Sequence, residues 1–370
     1  MSATLRRAAV VLAASAMALS LAACGSAKEA DGDDTPDDKN GDRNDGPLSI
    51  GLLLPEDQTA RYEKFDRPLI EAKIKQLCSD CTITYNNAKQ NSSAQQQQMN
   101  SLITKGVDVI ILDAVDSKSI AGSVEKADEA GIPVVAYDRL AEGPIDAYTS
   151  FDNEEVGRVQ GKALLEALGD DARDGQIVMM NGSPTDPNAA MFKKGALSVL
   201  EGEVTIGKSY DTTEWKPSEA NKNMNGAIAA LGEDDIVGVY SANDGMAGGI
   251  ITALEQAGFD ELPPVTGQDA ELAGVQRIIA GTQYMSVYKP YRPEADAAAE
   301  MAIALARGED VPAEATIDSP TTEGVPATLV KPVALTVENV EETVLKDNLY
   351  TLEEICTPKF RAACEQAGLM

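Results

Sequence analysis

The chain has 370 residues, 60 of them Asp or Glu against 31 Lys or Arg, which gives a formal net charge of −29. A field of that sign works against nucleic acids and anionic lipid headgroups as partners. Histidine is absent throughout, which removes the Ser-His-Asp and Cys-His catalytic arrangements and the commonest zinc ligand.

The first residues read as an export signal. Arg6 and Arg7 precede an apolar run over residues 8–23 that closes on small side chains, too short for a membrane span. Leu21-Ala22-Ala23-Cys24 resembles a bacterial lipobox, which implies cleavage before Cys24 and a lipid on that cysteine; an ordinary signal peptide ending near a cysteine is the alternative. Residues 28–46 are almost entirely Asp, Glu, Gly, Asn, Lys and Pro, with no large apolar side chain. Such a segment cannot bury enough surface to offset ordering, so it reads as a flexible tether. Within it, Asp38-Lys39-Asn40-Gly41-Asp42 has oxygen ligands at alternate positions. It lacks the glycine and the later Glu of an EF-hand, and reads as a solvated acidic spacer. Residues 1–23 are thus expected to be the signal and 24–47 the lipidated cysteine and tether. The protein is placed outside the cytoplasm, held to the outer face of the cell membrane, or its periplasmic side, by lipid alone.

Four further cysteines remain: Cys78, Cys81, Cys356 and Cys364. In an exported protein an even number reads as disulfides, and four allow three pairings. The Cys78-Ser79-Asp80-Cys81 spacing also fits a redox or metal motif, but a zinc site wants a second such pair, which Cys356 and Cys364 do not supply. Local bridges, Cys78–Cys81 and Cys356–Cys364, are favoured as structural staples.

From residue 48 short apolar runs alternate with helical stretches. Strands are expected at 48–54, 82–85, 107–112 and 132–137, with helices at 59–77, 92–104 and 117–130 between them. A helix at 154–168 opens a second series. Strands at 176–180, 204–209, 236–240 and 265–266 then alternate with helices at 186–200, 217–231, 244–257 and 272–280. Gly131-Ile132-Pro133 marks one junction, with glycine ending a helix and Ile-Pro setting an extended entry. Uninterrupted apolar strands joined by helices imply parallel sheets covered on both faces, and two series imply an α/β protein of two doubly wound lobes.

Ligands of open parallel sheets bind beyond the carboxyl ends of the strands. Those places hold Asn181-Gly182-Ser183-Pro184 leading to Asp186 and Asn188, Asp138-Arg139, Asn243-Asp244, Gln268-Asp269 and Lys289. Carboxylates, amides and fixed cations can satisfy both the donors and the acceptors of a neutral polyol. Trp215, Tyr62 and Phe65 offer aromatic faces for the apolar side of a sugar ring. Each has a plainer role open to it: Asp138 and Asp244 as helix caps, Trp215 as core, Lys289 as a solvated loop residue. Their recurrence at one edge of both series favours a site.

Those stretches resemble the periplasmic sugar-binding proteins of ABC transport, the D-xylose-binding group most closely. The likeness is carried by Gly106-Val107-Asp108-Val109-Ile110, Ala136-Tyr137-Asp138-Arg139, Ser150-Phe151-Asp152-Asn153-Glu154-Glu155-Val156-Gly157, Ser241-Ala242-Asn243-Asp244 with Ala247-Gly248-Gly249, and Gly267-Gln268-Asp269-Ala270-Glu271-Leu272-Ala273-Gly274. It runs on through Gly281-Thr282-Gln283 to Val287-Tyr288-Lys289-Pro290. The resemblance implies the type I periplasmic binding protein fold, two lobes joined by three hinge crossings that close over one monosaccharide. The ligand-binding set it implies is Arg61, Tyr62, Asp138 and Arg139 from the first lobe, with Asn188, Trp215, Asn243, Asp244, Gln268 and Lys289 from the second lobe and hinge. Tyr62 stands where the xylose binders have tryptophan, and 349–370 lies outside their pattern.

The first lobe is expected to comprise 48–149 plus about 290–320, the second 150–289 plus about 321–348, and the Cys-bearing tail 349–370. Crossings are expected near 148–151, 288–290 and 321–331. The implied partners are a monosaccharide, D-xylose or a related aldose, and an ABC permease, with the chain a monomer and no cofactor, metal or catalytic residue. A sensor subunit that presents sugar to a membrane signalling receptor is an alternative. A carbohydrate-active enzyme built on Asp138, Asp244 and Asp269 is a weaker one, because nothing marks one of them as a raised-pKa acid.

Overall fold

The computed structural model describes residues 46–370. The signal, Cys24 and nearly all of the tether lie outside the described residues. No helix among the described residues is long and apolar enough to cross a membrane.

The expected alternation appears as β1 (Ser49–Leu54), α1 (Arg67–Leu77), β2 (Thr82–Asn87), α2 (Ser92–Lys105), β3 (Val109–Leu112), α3 (Ala121–Glu129), β4 (Val134–Tyr137) and β5 (Ala147–Phe151). The second series holds α4 (Asn153–Leu168), β6 (Gln176–Asn181), α5 (Pro187–Leu200), β7 (Thr205–Asp211), α6 (Pro217–Leu231), β8 (Ile236–Ser241), α7 (Asp244–Ala257), α8 (Leu272–Ile279) and β9 (Ser286–Tyr288). The chain then runs through α9 (Tyr291–Arg307), β10 (Ala315–Ile317), β11 (Val325–Val330), β12 (Val333–Leu335), α10 (Leu352–Ile355) and α11 (Arg361–Gln366).

The first lobe is a seven-stranded sheet in the order β10-β11-β5-β4-β3-β1-β2. All its pairings are parallel except β10 with β11. β3 and β4 are wholly buried, as strands covered on both faces must be. The second lobe pairs β7-β6-β8 in parallel. Residues 265–267 extend it: Thr266 N–H donates to Val239 O at 3.1 Å, and Val287 N–H to Gly267 O at 3.0 Å. β9 and β12 form an antiparallel pair beyond. Asn91, Asp152, Asp186 and Asn243 accept a backbone N–H at the starts of α2, α4, α5 and α7.

One expectation is corrected. The stretch assigned to the second lobe from about residue 321 instead carries β11, which pairs with β5 from Ala327↔Tyr148 to Val330↔Phe151 in the first sheet. The third crossing falls at Lys331-Pro332, between β11 and β12 and at the far end of the expected 321–331 stretch. Residues 349–370, the Cys-bearing tail, pack onto the second lobe. Tyr350, Ile355, Cys356, Cys364 and Leu369 are buried in one cluster with Val275, Ile278 and Ile279 of α8. Cys78 is set against Cys81 and Cys356 against Cys364, with Cα separations of 5.3 and 5.9 Å, inside the bridging range.

α4 and α5 approach each other at a pair of glycines. A Cβ on Gly157 would sit on the carbonyl oxygen of Phe192, and one on Gly195 on that of Glu154. Neither neighbour is a flexible side-chain end, so the helices themselves would have to part. Gly157→Ala is expected to lower unfolding stability by roughly 1–3 kcal/mol or more, read as a lower urea midpoint. An unchanged midpoint would show that the helices separate without cost.

Candidate functional site

The ends of both sheets converge on a tight cavity of about 20 Å³, room for little more than one water as the lobes stand. Its walls come from both lobes: Thr59, Arg61, Tyr62, Asp138 and Arg139 from the first, and Asp186, Asn188, Phe192, Trp215, Asn243, Gln268, Asp269 and Lys289 from the second lobe and its crossing. Nine of the ten expected ligand-binding residues are among them.

Asp244 is the exception, and its assignment is corrected. Its carboxylate turns away from the cavity, accepting from Gln283 Nε2 at 2.6 Å, Ser286 Oγ at 2.8 Å and the Glu271 N–H at 2.9 Å. Those donors satisfy it as a structural tie between α7, β9 and the start of α8. Asn243, one residue earlier, caps α7, accepting from the Met246 N–H at 2.8 Å.

Charge organises the cavity. Its lining holds three cations, Arg61, Arg139 and Lys289, and three carboxyl groups, Asp138, Asp186 and Asp269. Lys289 Nζ lies 2.9 Å from Asp269 Oδ1. Arg139 Nε lies 2.9 Å from Asp186 Oδ2 across the cleft, and its other nitrogens donate to Ala114 O at 3.2 Å and Tyr62 Oη at 3.1 Å. Arg61 meets Asp66 at 2.8 Å, Glu294 at 2.7 Å and Asp138 at 3.4 Å. Burial alone would raise the Asp138 pKa, but Arg61, Lys289 and Arg139 outweigh it and hold that carboxyl below its usual range. Asn188 Nδ2 bridges the lobes again, donating to Asp138 O at 3.1 Å and Oδ1 at 3.3 Å.

Aromatic faces close the rest. Trp215 Nε1 donates to Asp186 Oδ2 at 3.2 Å, and Phe192 stands edge-on to the indole, centroids 6.4 Å apart. Gly182 makes room: a Cβ there would fall inside the indole ring. Asp138, Trp215 and Asp269 all have positive φ, 55°, 56° and 88°. Three wall residues in that sparsely populated region are held there by the surrounding structure. Phe65, offered as a ring face, is outside the lining and stacks on Tyr291 instead.

Three participants escaped the sequence reading. Phe192 looks like an ordinary apolar position of a helix, and Glu294 like a surface residue of α9. Asp186, named at a strand end, caps α5 with one oxygen while its other reaches the cavity. Asp113, directly after β3, was open to the strand-end rule. It is fully buried 3.6 Å from Arg139 Nε, with no hydrogen-bond partner for either carboxylate oxygen among the described residues. Burial pushes its pKa well up, and Arg139 only partly counters this.

Behind Arg61, three carboxyls share one guanidinium. Glu294 Oε1 has no hydrogen-bond partner. Burial pushes Glu294 well above its ordinary range; Arg61 pulls it down, while Asp138 and Asp66 push it up. A carboxyl raised on folding stabilises the protein below its unfolded pKa of about 4.3 and loses that contribution as pH rises toward the folded value. Glu294→Gln, which mimics the neutral carboxyl, is therefore expected to match the parent near pH 4 and to exceed it at neutral pH, because only the parent loses stability above about pH 4.3. Denaturation across a pH series checks this; a steeper fall in the variant would mean that Glu294 is ionised.

Residues 50–310 match the family model described as a periplasmic binding protein domain. The D-xylose-binding periplasmic protein of Escherichia coli is 35% identical over 314 residues, covering 83% of this chain and 92% of that protein. The multiple sugar-binding periplasmic receptor of Rhizobium radiobacter is 34% identical over 285 residues, covering 70% and 80%. A solved ABC transporter solute-binding protein from Clostridium phytofermentans with bound β-D-glucose superposes with a TM-score of 0.77 at 27% identity, covering 83% of this chain and 99% of that one. Together with the paired parallel sheets and the cavity between them, these likenesses place the chain in the periplasmic binding protein family, on its type I fold.

Proposed function

We propose that the chain is a lipid-anchored extracytoplasmic receptor that captures one neutral monosaccharide, D-xylose or a related aldose, and delivers it to an ABC permease. The observation that carries this is the charge-paired cavity walled by both lobes. Each lining cation already faces a lining carboxyl, Arg61 with Asp138, Arg139 with Asp186 and Lys289 with Asp269, and Asp66, Glu294 and Asp113 stand behind the two arginines, so an ionic solute would find no unpaired partner. A polyol instead finds charge-assisted partners for each hydroxyl. Asp138, Asp186 and Asp269 accept, Arg61, Arg139 and Lys289 donate, and Asn188, Asn243 and Gln268 do either. Gln268 Oε1 has no hydrogen-bond partner among the described residues, and a sugar hydroxyl would supply one. Trp215, Phe192 and Tyr62 would cover the ring's apolar faces.

Binding by closure follows from the split walls, since only the closed form completes contacts from both lobes. The D-xylose-binding name of relatives at 34–35% identity supports an aldose. A sensor role in place of transport keeps the same site, and the word receptor in the Rhizobium radiobacter name favours keeping it in view. Cys24 would hold the receptor near its permease through the acidic tether, raising the local concentration.

Calorimetric titration of the full chain in detergent, with xylose, glucose, galactose, arabinose and ribose, tests the reading. Binding at micromolar or tighter affinity to at least one sugar, without turnover, is expected. Asp269→Asn should weaken it about 10- to 100-fold, the worth of a hydrogen bond to a charged group. Folded, ligand-stripped protein that binds none of the five would overturn the assignment. Separately, Cys24→Ser should shift the protein from the membrane fraction to the soluble fraction; a variant that stays on the membrane would remove the lipid anchor from the account.

A further inference from the structure

The tail beyond β12 has an evident structural task. Ile355, Cys364 and Leu369 cover the apolar face of α8, and Gln276 Nε2 of α8 donates to Glu354 O at 3.0 Å and Ile355 O at 3.3 Å. That task accounts for its attachment to the second lobe. It does not account for what the tail does to the first.

The helical turn Tyr62–Asp66, which follows β1 in the first lobe, reaches the tail with two side chains. Phe65 stands edge-on to Tyr350, centroids 5.7 Å apart and planes at 74°. Lys64 Nζ lies 4.5 Å from the Tyr350 ring centroid and 3.4 Å from Glu354 Oε1. Tyr350 is 3% exposed, so its ring is enclosed by these partners. The exposed Lys64–Glu354 pair alone is weak, whereas the ring contacts are not. Phe65 also stacks on Tyr291, centroids 5.4 Å apart. The Tyr291 hydroxyl donates to Asp269 O, and its ring lies 4.7 Å from the Arg61 guanidinium carbon. A continuous run of rings thus leads from the tail to two walls of the cavity.

We propose that the C-terminal tail is a strap between the lobes, in which Tyr350 and Glu354, fixed to α8, grip Lys64 and Phe65 and so position Arg61 and Tyr62 in the closed form. Tyr350 and Lys64 are positioning residues that touch no ligand. The inference rests on the sugar reading for its first test and is independent of it for the second.

In the first test, sugar release from the full chain is followed by the fluorescence of Trp215, the single tryptophan, which lines the cavity. Lys64→Ala and Tyr350→Leu should each speed release by about three- to tenfold, the range of a cation–π or aromatic contact. The double variant should fall short of the product of the two. Lys64→Ala should leave the thermal midpoint in place, as its side chain is 40% exposed. Release within twofold of the parent in Lys64→Ala overturns the strap, and decides the matter alone should Tyr350→Leu fail to fold. The second test needs no sugar. Spin labels at Lys89 of the first lobe and Lys222 of the second, both 75% exposed, report lobe separation. Lys64→Ala should broaden the distance distribution; an unchanged distribution overturns the strap. A parent protein that binds no sugar, yet broadens in this way, would sink the sugar assignment and leave the strap standing.

Discussion

Arg139 leaves the end of β4 in the first lobe and meets its nearest carboxylate, Asp186, at the start of α5 in the second. Both side chains are almost wholly buried, and a buried charge is tolerable only when paired. The lobes thus share an ion pair that neither could bury alone. Opening the cleft would separate the pair and return both groups to water, so closure and charge neutralisation are one event. Asn188 repeats the pattern with an amide, reaching from α5 to the backbone and carboxylate of Asp138. The cavity inherits its character from this constraint. It is polar because cations wall it, and it offers no spare cation because each already faces at least one carboxyl.

The supporting structure fits the same logic. Arg61 is packed against the rings of Tyr62, Phe151 and Tyr291 while its nitrogens face Asp66, Asp138 and Glu294, so its position is fixed from several directions. Lys289, at the second crossing, lies over Phe151 and Phe192, one ring near each lobe's edge. The wall residues with positive φ sit where strands end and the chain must turn sharply to present a side chain. Strain of this kind is retained only when the neighbourhood holds it, and here the neighbourhood is the charged network.

Much of this was readable along the chain, for identifiable reasons. Apolar runs such as Val109–Leu112 have no polar interruption because both faces are covered, and that is visible without coordinates. The rule that ligands meet the ends of parallel strands then picked out Asp138-Arg139, Asn243, Gln268 and Lys289. It failed at Asp244, because adjacency to Asn243 says nothing of direction: one turns to cap α7 at the cavity wall, the other to Gln283 and Ser286 behind it. Residues from about 321 were given to the wrong lobe because β11 belongs to the first sheet only through its pairing with β5, far back in sequence. Glu294 carried no local mark, since a Glu on an amphipathic helix reads as solvated until Arg61 is found beside it. Where the tail packs was likewise not legible, its partner α8 lying far back in sequence.

The central claim is that the cavity is matched to a neutral polyol because its cations and carboxyls already pair with one another. Competitive titration with three analogues of one ring tests it most directly: glucose, glucosamine and glucuronate, differing by no charge, one positive and one negative charge near neutral pH. The account predicts that the neutral sugar binds at least about tenfold more tightly than either charged analogue, a difference of one unpaired interaction in a closed site. Equal or tighter binding of a charged analogue would contradict it and would mean that the buried carboxyls and cations are not all paired when the cleft is closed.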